Sequence, residues 1–154
     1  MISVKLIYIQ NNKKKQFNDF EEDIIRRLKK NIKCILKPLS HKKKFSSLEE
    51  LKNYEGNLIS KELRSSSTSI FFDKSGIMLT SEKFAQVIFN SSSQLDLVIG
   101  GTYGLSDQVK LKADRIISFS DMEFAHDLFR LILLEQLYRS HCINTGHPYH
   151  QNDS

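Results

Sequence analysis

The 154-residue chain has no tryptophan, two cysteines, two prolines and six glycines. So little glycine and proline excludes collagen and low-complexity disorder, and with 40% hydrophobic and 27% charged residues the composition is that of one compact globular domain. Cys34 and Cys142 stand far apart, in no C-x-x-C or zinc spacing, which fits free thiols in a reducing compartment and excludes a disulfide scaffold. No staple is required, because a chain of this length buries roughly 68–70% of its unfolded surface. No apolar run approaches the ~18 residues of a membrane span, and Met1-Ile2-Ser3-Val4-Lys5 lacks the layout of a signal peptide. The expectation is a cytoplasmic protein with no membrane partner.

What is present in excess is positive charge, unevenly placed. Net charge is +5, but residues 1–64 carry +8 and residues 65–154 carry −3. Two lysine runs, Lys13-Lys14-Lys15 and Lys42-Lys43-Lys44, lie in the basic part. They either face a polyanion or merely solvate two loops, and the runs alone do not decide between these.

Hydrophobic periodicity places strands at Ile2–Ile9, Lys33–Leu39, Ser69–Asp73, Leu95–Ile99 and Arg115–Phe119. Helices fall between them. Capping-box spacings at Asn18-Asp19-Phe20-Glu21, Ser47-Leu48-Glu49-Glu50 and Ser120-Asp121-Met122-Glu123 predict helix starts, and Thr80-Ser81-Glu82 offers another N-cap. The first helix would run to about Asn31 with Phe20, Ile24, Ile25 and Leu28 inward, the second to about Arg64, and the last from about Glu123 to Ile143. Ser75-Gly76 is expected to end the third strand. Strands alternating with helices give an α/β domain, a mainly parallel sheet with helices on both faces and ligands at the carboxyl ends of the strands.

The last helix is apolar nearly all round, with Leu128, Phe129, Leu131, Ile132, Leu133, Leu134, Leu137 and Tyr138. Such a helix is covered on more than one side, either within the core or by a second copy in a homodimer. Arg130, Glu135 and Arg139 interrupt its surface. They require partners if buried, and Glu135 and Arg139, four apart, can pair.

Three segments converge at strand ends: Phe71-Phe72-Asp73, the loop Gly100–Ser106, and Ser118–Glu123. Glycines directly after a buried strand let a ligand lie against backbone, although a plain strand-to-helix turn has the same composition. G-G-x-x-G is neither the dinucleotide fingerprint nor a P-loop. His126, His141, His147 and His150 form only a loose His-x-x-His with no cysteine completing a tetrahedral set, so no metal is expected. No Gly-x-Ser-x-Gly occurs and neither cysteine sits in a nucleophile motif. The Pro148-Tyr149-His150 tail is suited to a lid or a substrate contact, since Tyr stacks on bases and His exchanges protons near neutral pH. Packing back on the sheet is the alternative.

Taken together, Leu97-Val98-Ile99-Gly100-Gly101, Gly104-Leu105-Ser106, Ile117-Ser118-Phe119-Ser120-Asp121-Met122, His126, Arg130, Leu134-Glu135-Gln136-Leu137-Tyr138-Arg139 and Gly146-His147-Pro148-Tyr149-His150 closely resemble the RlmH family, small SPOUT-class RNA methyltransferases. The Ile70–Asp73 strand with Gly76, and Ser81-Glu82-Lys83-Phe84-Ala85, also match, so the resemblance covers residues 1–154 as a single SPOUT domain. It implies a cofactor-binding trefoil knot over roughly residues 69–154, a homodimer, and S-adenosylmethionine as methyl donor. The implied reaction is methylation of N3 of pseudouridine 1915 in helix 69 of 23S ribosomal RNA, on the assembled ribosome. Carried over by position, Phe72, Gly100, Gly101, Phe119, Ser120, Asp121, Met122, Glu123 and Phe124 hold the cofactor. Arg139 and Tyr149 position the base and its phosphate, His150 is the candidate base or proton relay, Glu135 orients Arg139, and His126 is given no chemical role. The chain departs from the family pattern at Phe72, Ile77, Ala125 and the Gln151–Ser154 tail. Two other classes share this fold: a non-catalytic ribosome- or RNA-binding module, and a SPOUT enzyme with another RNA target.

Overall fold

The computed structural model describes residues 1–11 and 18–151; Lys13, Lys14, Lys15 and the final Asn152–Ser154 lie outside the described residues. Ten elements follow in order: β1 (Ile2–Ile9), α1 (Asn18–Leu28), β2 (Ile32–Leu39), α2 (Leu48–Glu62), β3 (Thr68–Met78), α3 (Ser81–Asn90), β4 (Gln94–Ile99), α4 (Asp107–Lys110), β5 (Arg115–Ser118) and α5 (His126–Thr145). The five strands form one sheet in the order β2-β1-β4-β3-β5, and every pairing is parallel. Pro38, which has no N–H to give a ladder, is tolerated because β2 is an edge strand.

The period-2 alternation of the strands builds two cores. Val4, Leu6, Tyr8, Ile70, Phe72, Leu95, Leu97 and Ile99 meet Leu28 of α1, Phe84 and Ile88 of α3, and Leu133, Leu134 and Leu137 of α5. Ile7, Ile9, Phe71 and Val98 on the other face meet Ile59 of α2 and Leu105 and Val109 beside α4. Helices therefore cover both faces, as the sequence pattern predicts.

Four local expectations are corrected. The third strand does not stop at Ser75-Gly76. It runs to Met78, and its pairing with β5 jumps from Phe72↔Ile117 to Ile77↔Ile117, leaving residues 73–76 as an excursion. Gly76 is obligatory there because a Cβ would lie 2.6 Å from the backbone of Ile116 and Ile117. Ser120 does not cap the last helix either. Its hydroxyl accepts from the Met122 N–H at 2.9 Å, closing a turn, and α5 begins at His126 with no side-chain cap. Phe20 is 63% exposed rather than inward. The inward position one residue on belongs to Glu21, whose carboxylate accepts from Arg130 Nε at 2.9 Å and lies 2.7 Å from Nη2. Glu21 is thus the buried partner of Arg130; the half of the expected capping box that rests on the Asn18 side chain lies outside what is described. Finally, α4, opened by Ser106 accepting from the Val109 N–H, has no counterpart among the predicted helices. Ser47 and Thr80 do cap α2 and α3.

Arg130 and Glu21 are 3% and 4% exposed at their side chains, Asp127 stands 3.8 Å away, and the guanidinium lies 4.5 Å from the centre of the Tyr8 ring. Removing one member of such a pair leaves an uncompensated buried charge. Glu21→Ala is expected to cost about 3–5 kcal/mol in urea unfolding; a loss below ~1 kcal/mol, the scale of an exposed pair, would place this interaction in solvent.

Candidate active site

Phe72 ends the first part of β3, Ile99 ends β4, and Ile117 and Ser118 end β5. A cavity of about 800 Å³ opens at these three carboxyl ends, where open parallel sheets bind ligands. Its floor is aromatic. The Phe72 ring packs on Phe119 at 5.3 Å, Phe129 at 5.9 Å and Phe84 at 6.3 Å, mostly edge to face. One wall is the glycine turn after β4. Gly104 donates its N–H to the Gly101 carbonyl at 2.9 Å and takes φ +88°, which favours glycine. A Cβ at Gly100 would come within 2.9 Å of Leu105, and one at Gly101 would collide with the Glu55 carboxylate. The opposite wall is the segment Phe119–Ala125.

The polar groups on this cavity have defined states. Asp73 is partly buried, which works to raise its carboxyl, but hydrogen bonds from the Ser75 side chain and backbone and the Lys110 ammonium at 3.2 Å hold it below the usual carboxylate range. Glu123 is held low by Lys74, 2.9 Å away in solvent. Burial pushes His126 below the usual imidazole range, against the Gly101 backbone and Asp127, which favour its charged form. Its Nδ1 is buried and has no partner among the described residues. No side chain caps α5, so the first N–H groups of a 20-residue helix open beside Ala125 and His126 at the cavity rim.

Of the residues expected to hold a cofactor, Phe72, Gly100, Gly101, Phe119, Ser120, Met122, Glu123 and Phe124 line this cavity. Asp121 is exposed and does not. Asp73, Thr102, Tyr103, His126 and Phe129 also line it; Asp73, Thr102 and Tyr103 belong to the converging segments, while His126 and Phe129 carry no cofactor role in the sequence reading.

The four remaining predicted residues form a second cluster. Arg139 donates to Glu135 from Nε at 3.1 Å and from Nη2 at 2.6 Å, and the Tyr149 hydroxyl donates to the same carboxylate oxygen at 3.0 Å. The guanidinium lies 5.0 Å from the Tyr149 ring centre, and Tyr138 packs edge-on to that ring at 4.8 Å. Arg139 Nη1 lies 3.1 Å from His150 Nδ1, and His150 Nε2 lies 2.8 Å from Glu82 of α3. Arginine only donates, so Nδ1 accepts and the ring proton sits on Nε2, directed at Glu82. Burial, and then the Glu135 hydrogen bond, raise the Tyr149 phenol, so it remains a donor. Glu135 likewise raises Arg139 above its ordinary value. None of these four residues lines the cavity.

A family model described as predicted SPOUT methyltransferase matches residues 2–150. The protein named ribosomal RNA large subunit methyltransferase H of Clostridium acetobutylicum is 36% identical over 159 residues, spanning 97% of this chain and 100% of its own. Its namesake in Caldicellulosiruptor bescii is 35% identical over 153 residues, 96% of this chain and 99% of its own. That of Campylobacter concisus is 46% identical over 82 residues, about half of either chain at 53% and 54%. The chain belongs to the RlmH family of SPOUT methyltransferases.

Burial pushes the Cys34 thiol up to about 12, which disfavours its thiolate, and Cys142 is buried. Among the described residues no three His, Cys, Asp or Glu side chains group to hold a metal ion, and no helix is long and apolar enough to cross a membrane. Glu135 is the shared acceptor of the tail cluster, so Glu135→Ala should release residues 146–151. Hydrogen exchange is the measurement: protection at Tyr149 and His150 should fall at least about tenfold while the middle of α5 keeps its own.

Proposed function

We propose that the chain methylates large-subunit ribosomal RNA with S-adenosylmethionine, at N3 of a pseudouridine on the assembled ribosome. The observation that carries this reading is the cavity at the ends of β3, β4 and β5, with its aromatic floor and exposed glycine backbone. Its volume lies within the ~300–1,000 Å³ of small-molecule sites. The residues present fit the cofactor. Phe72 and Phe119 offer an apolar surface, the Gly100-Gly101 backbone offers polar groups that no Cβ screens, and the orphaned His126 Nδ1 offers one more. An ionised Asp73 suits a cationic ligand. The names of the RlmH relatives supply the class of substrate.

When bound, S-adenosylmethionine supplies a sulfonium-activated methyl group, which needs little electrophilic help. The protein must then align the nucleophile and remove the N3 proton. Arg139 and Tyr149 suit the alignment, as a permanent cation for phosphate and a stacked phenol for a base, both oriented by Glu135. His150, wired to Glu82, suits the proton transfer as a relay. With both ring nitrogens engaged, it must exchange a partner before it accepts a proton.

The whole chain is proposed as one SPOUT domain whose knot spans roughly residues 69–154, a reading that rests on the family match. A homodimer is proposed for a geometric reason. The Glu135–His150 cluster and the cavity are separate within one chain, and a second copy can bring them together. Leu128, Met122, Ile77 and Met78 are exposed, and Leu131 and Ile132 of α5 are only half-buried, which leaves apolar surface for that copy.

His150→Ala, with cofactor saturating, is expected to lose roughly 10²–10⁴-fold in methyl incorporation into intact ribosomes. Mixing it with Gly101→Val, whose side chain collides with the Glu55 carboxylate and so displaces the glycine wall of the cavity, should restore activity through mixed dimers. A wild-type rate for His150→Ala removes that residue from the reaction, and no restoration confines each site to one chain. Lys42, Lys43 and Lys44 are exposed in the structure and suit the ribosome-facing surface. Replacing all three with Gln should flatten the salt dependence of ribosome binding by up to about 2–3 in log–log slope. S-adenosylmethionine affinity should stay unchanged, and an unaltered slope returns these lysines to ordinary solvated loop.

A further inference from the structure

We propose that Glu55 and His41 are positioning residues for the glycine turn, setting the affinity for S-adenosylmethionine without lining the cavity. This rests on the assignment of that cavity to the cofactor. The turn is a thin wall. On its far side lies a second chamber of about 350 Å³, bounded by Glu55, Gly101, Thr102, Tyr103, His126 and Asp127. With space on both sides, the turn's position depends on what touches its back as well as on its own Gly104–Gly101 hydrogen bond, and the Glu55 carboxylate packs directly on Gly101, where a Cβ would collide with it.

Glu55 is a costly stop to bury. It is 4% exposed on α2, and an apolar side chain would pack there without desolvating a charge. His41 holds it in place. The His41 Nε2 lies 2.9 Å from Glu55 Oε2, with both side chains 6% exposed. The His41 ring is itself held edge-on by Tyr54 at 5.2 Å and Phe45 at 5.9 Å, and its backbone N–H donates to Asn11 Oδ1 at 3.0 Å. Its Nδ1 is buried without a partner, so the Glu55 contact is the ring's one hydrogen bond among the described residues. The path from the start of the Lys42–Lys44 segment to the cavity wall is therefore His41, Glu55, Gly101.

The test is calorimetric titration of the full chain with S-adenosylmethionine, alongside thermal unfolding. Glu55→Ala and His41→Ala should each weaken binding about tenfold, and the double variant by no more than the weaker single, because both act through one contact. Glu55→Gln, which keeps the shape and an acceptor for His41, should bind within about twofold of wild type. His41→Ala leaves the packing on Gly101 intact and carries the test if Glu55→Ala does not fold. A lower melting temperature with unchanged affinity in these variants overturns the positioning role, as do additive losses in the double variant. A wild-type chain that does not bind overturns the cavity assignment and this inference together.

Discussion

The buried Arg130–Glu21 pair fixes the rotation of α5, and the site depends on that rotation. A helix apolar nearly all round has little preference for which face meets the sheet, since Leu131, Ile132 and Leu133 would each serve. A guanidinium whose close, hydrogen-bonded carboxylate is on α1, over the Tyr8 ring, removes that freedom. At 3.6 residues per turn, Glu135 and Arg139 then lie about 140° and 180° around the axis from Arg130. They face away from the sheet, where the tail can reach them. Buried pairs contribute little net stability over an apolar replacement, and their best-attested use is to specify one arrangement among several. Here the specified arrangement carries the cavity rim at one end of α5 and the tail cluster at the other.

The cavity rests on a second constraint, the closeness of backbones at glycine. Gly76 lets β3 continue past its excursion against β5, and Gly100, Gly101 and Gly104 let the chain double back after β4 without filling the space it encloses. The phenylalanine cluster beneath is packed by Phe84 and Phe129 from α3 and α5, so the floor is continuous with the main core. The cavity floor and the stability of the fold share those side chains, and large-to-small changes there would disturb both.

This division explains what could be read in the sequence. Strand alternation and the caps at Ser47 and Thr80 are local signals, and they placed every strand and both of those helix starts. The glycine-after-strand pattern and the family resemblance pointed to most of the cavity lining. What escaped was long-range. Glu21 has capping-box spacing, and only the partner supplied from α5, 109 residues away, makes it an inward residue. Ser120 has the same spacing, but its hydroxyl closes a turn that shapes the cavity wall instead. Glu55 and His41 carry no motif at all; a lone Glu beside Gly56 on a helix reads as surface until α2 is docked against the glycine turn. Asp121 illustrates the reverse case, a residue inside a matching segment whose side chain points away from the cavity.

The separation of the two clusters is the remaining step. Within one chain, Arg139, Tyr149 and His150 satisfy one another through Glu135 and Glu82, and none faces the cavity. A catalytic group with every hydrogen bond satisfied by its neighbours is held in place but not engaged. RNA or a second chain would have to supply better partners before it could act. The exposed apolar residues around the cavity and along α5 lie where such a chain would bury them, and the tail leaves the end of α5 at Gly146 with φ +71°, turning back along the helix. In the proposed dimer, the tail that closes on its own helix in one chain would close on the cavity of the other, at the cost of exchanging the Glu82 and Glu135 contacts for substrate. On that proposal, the exchange would couple assembly of the reactive groups to arrival of the RNA and leave the cavity able to load its methyl donor beforehand.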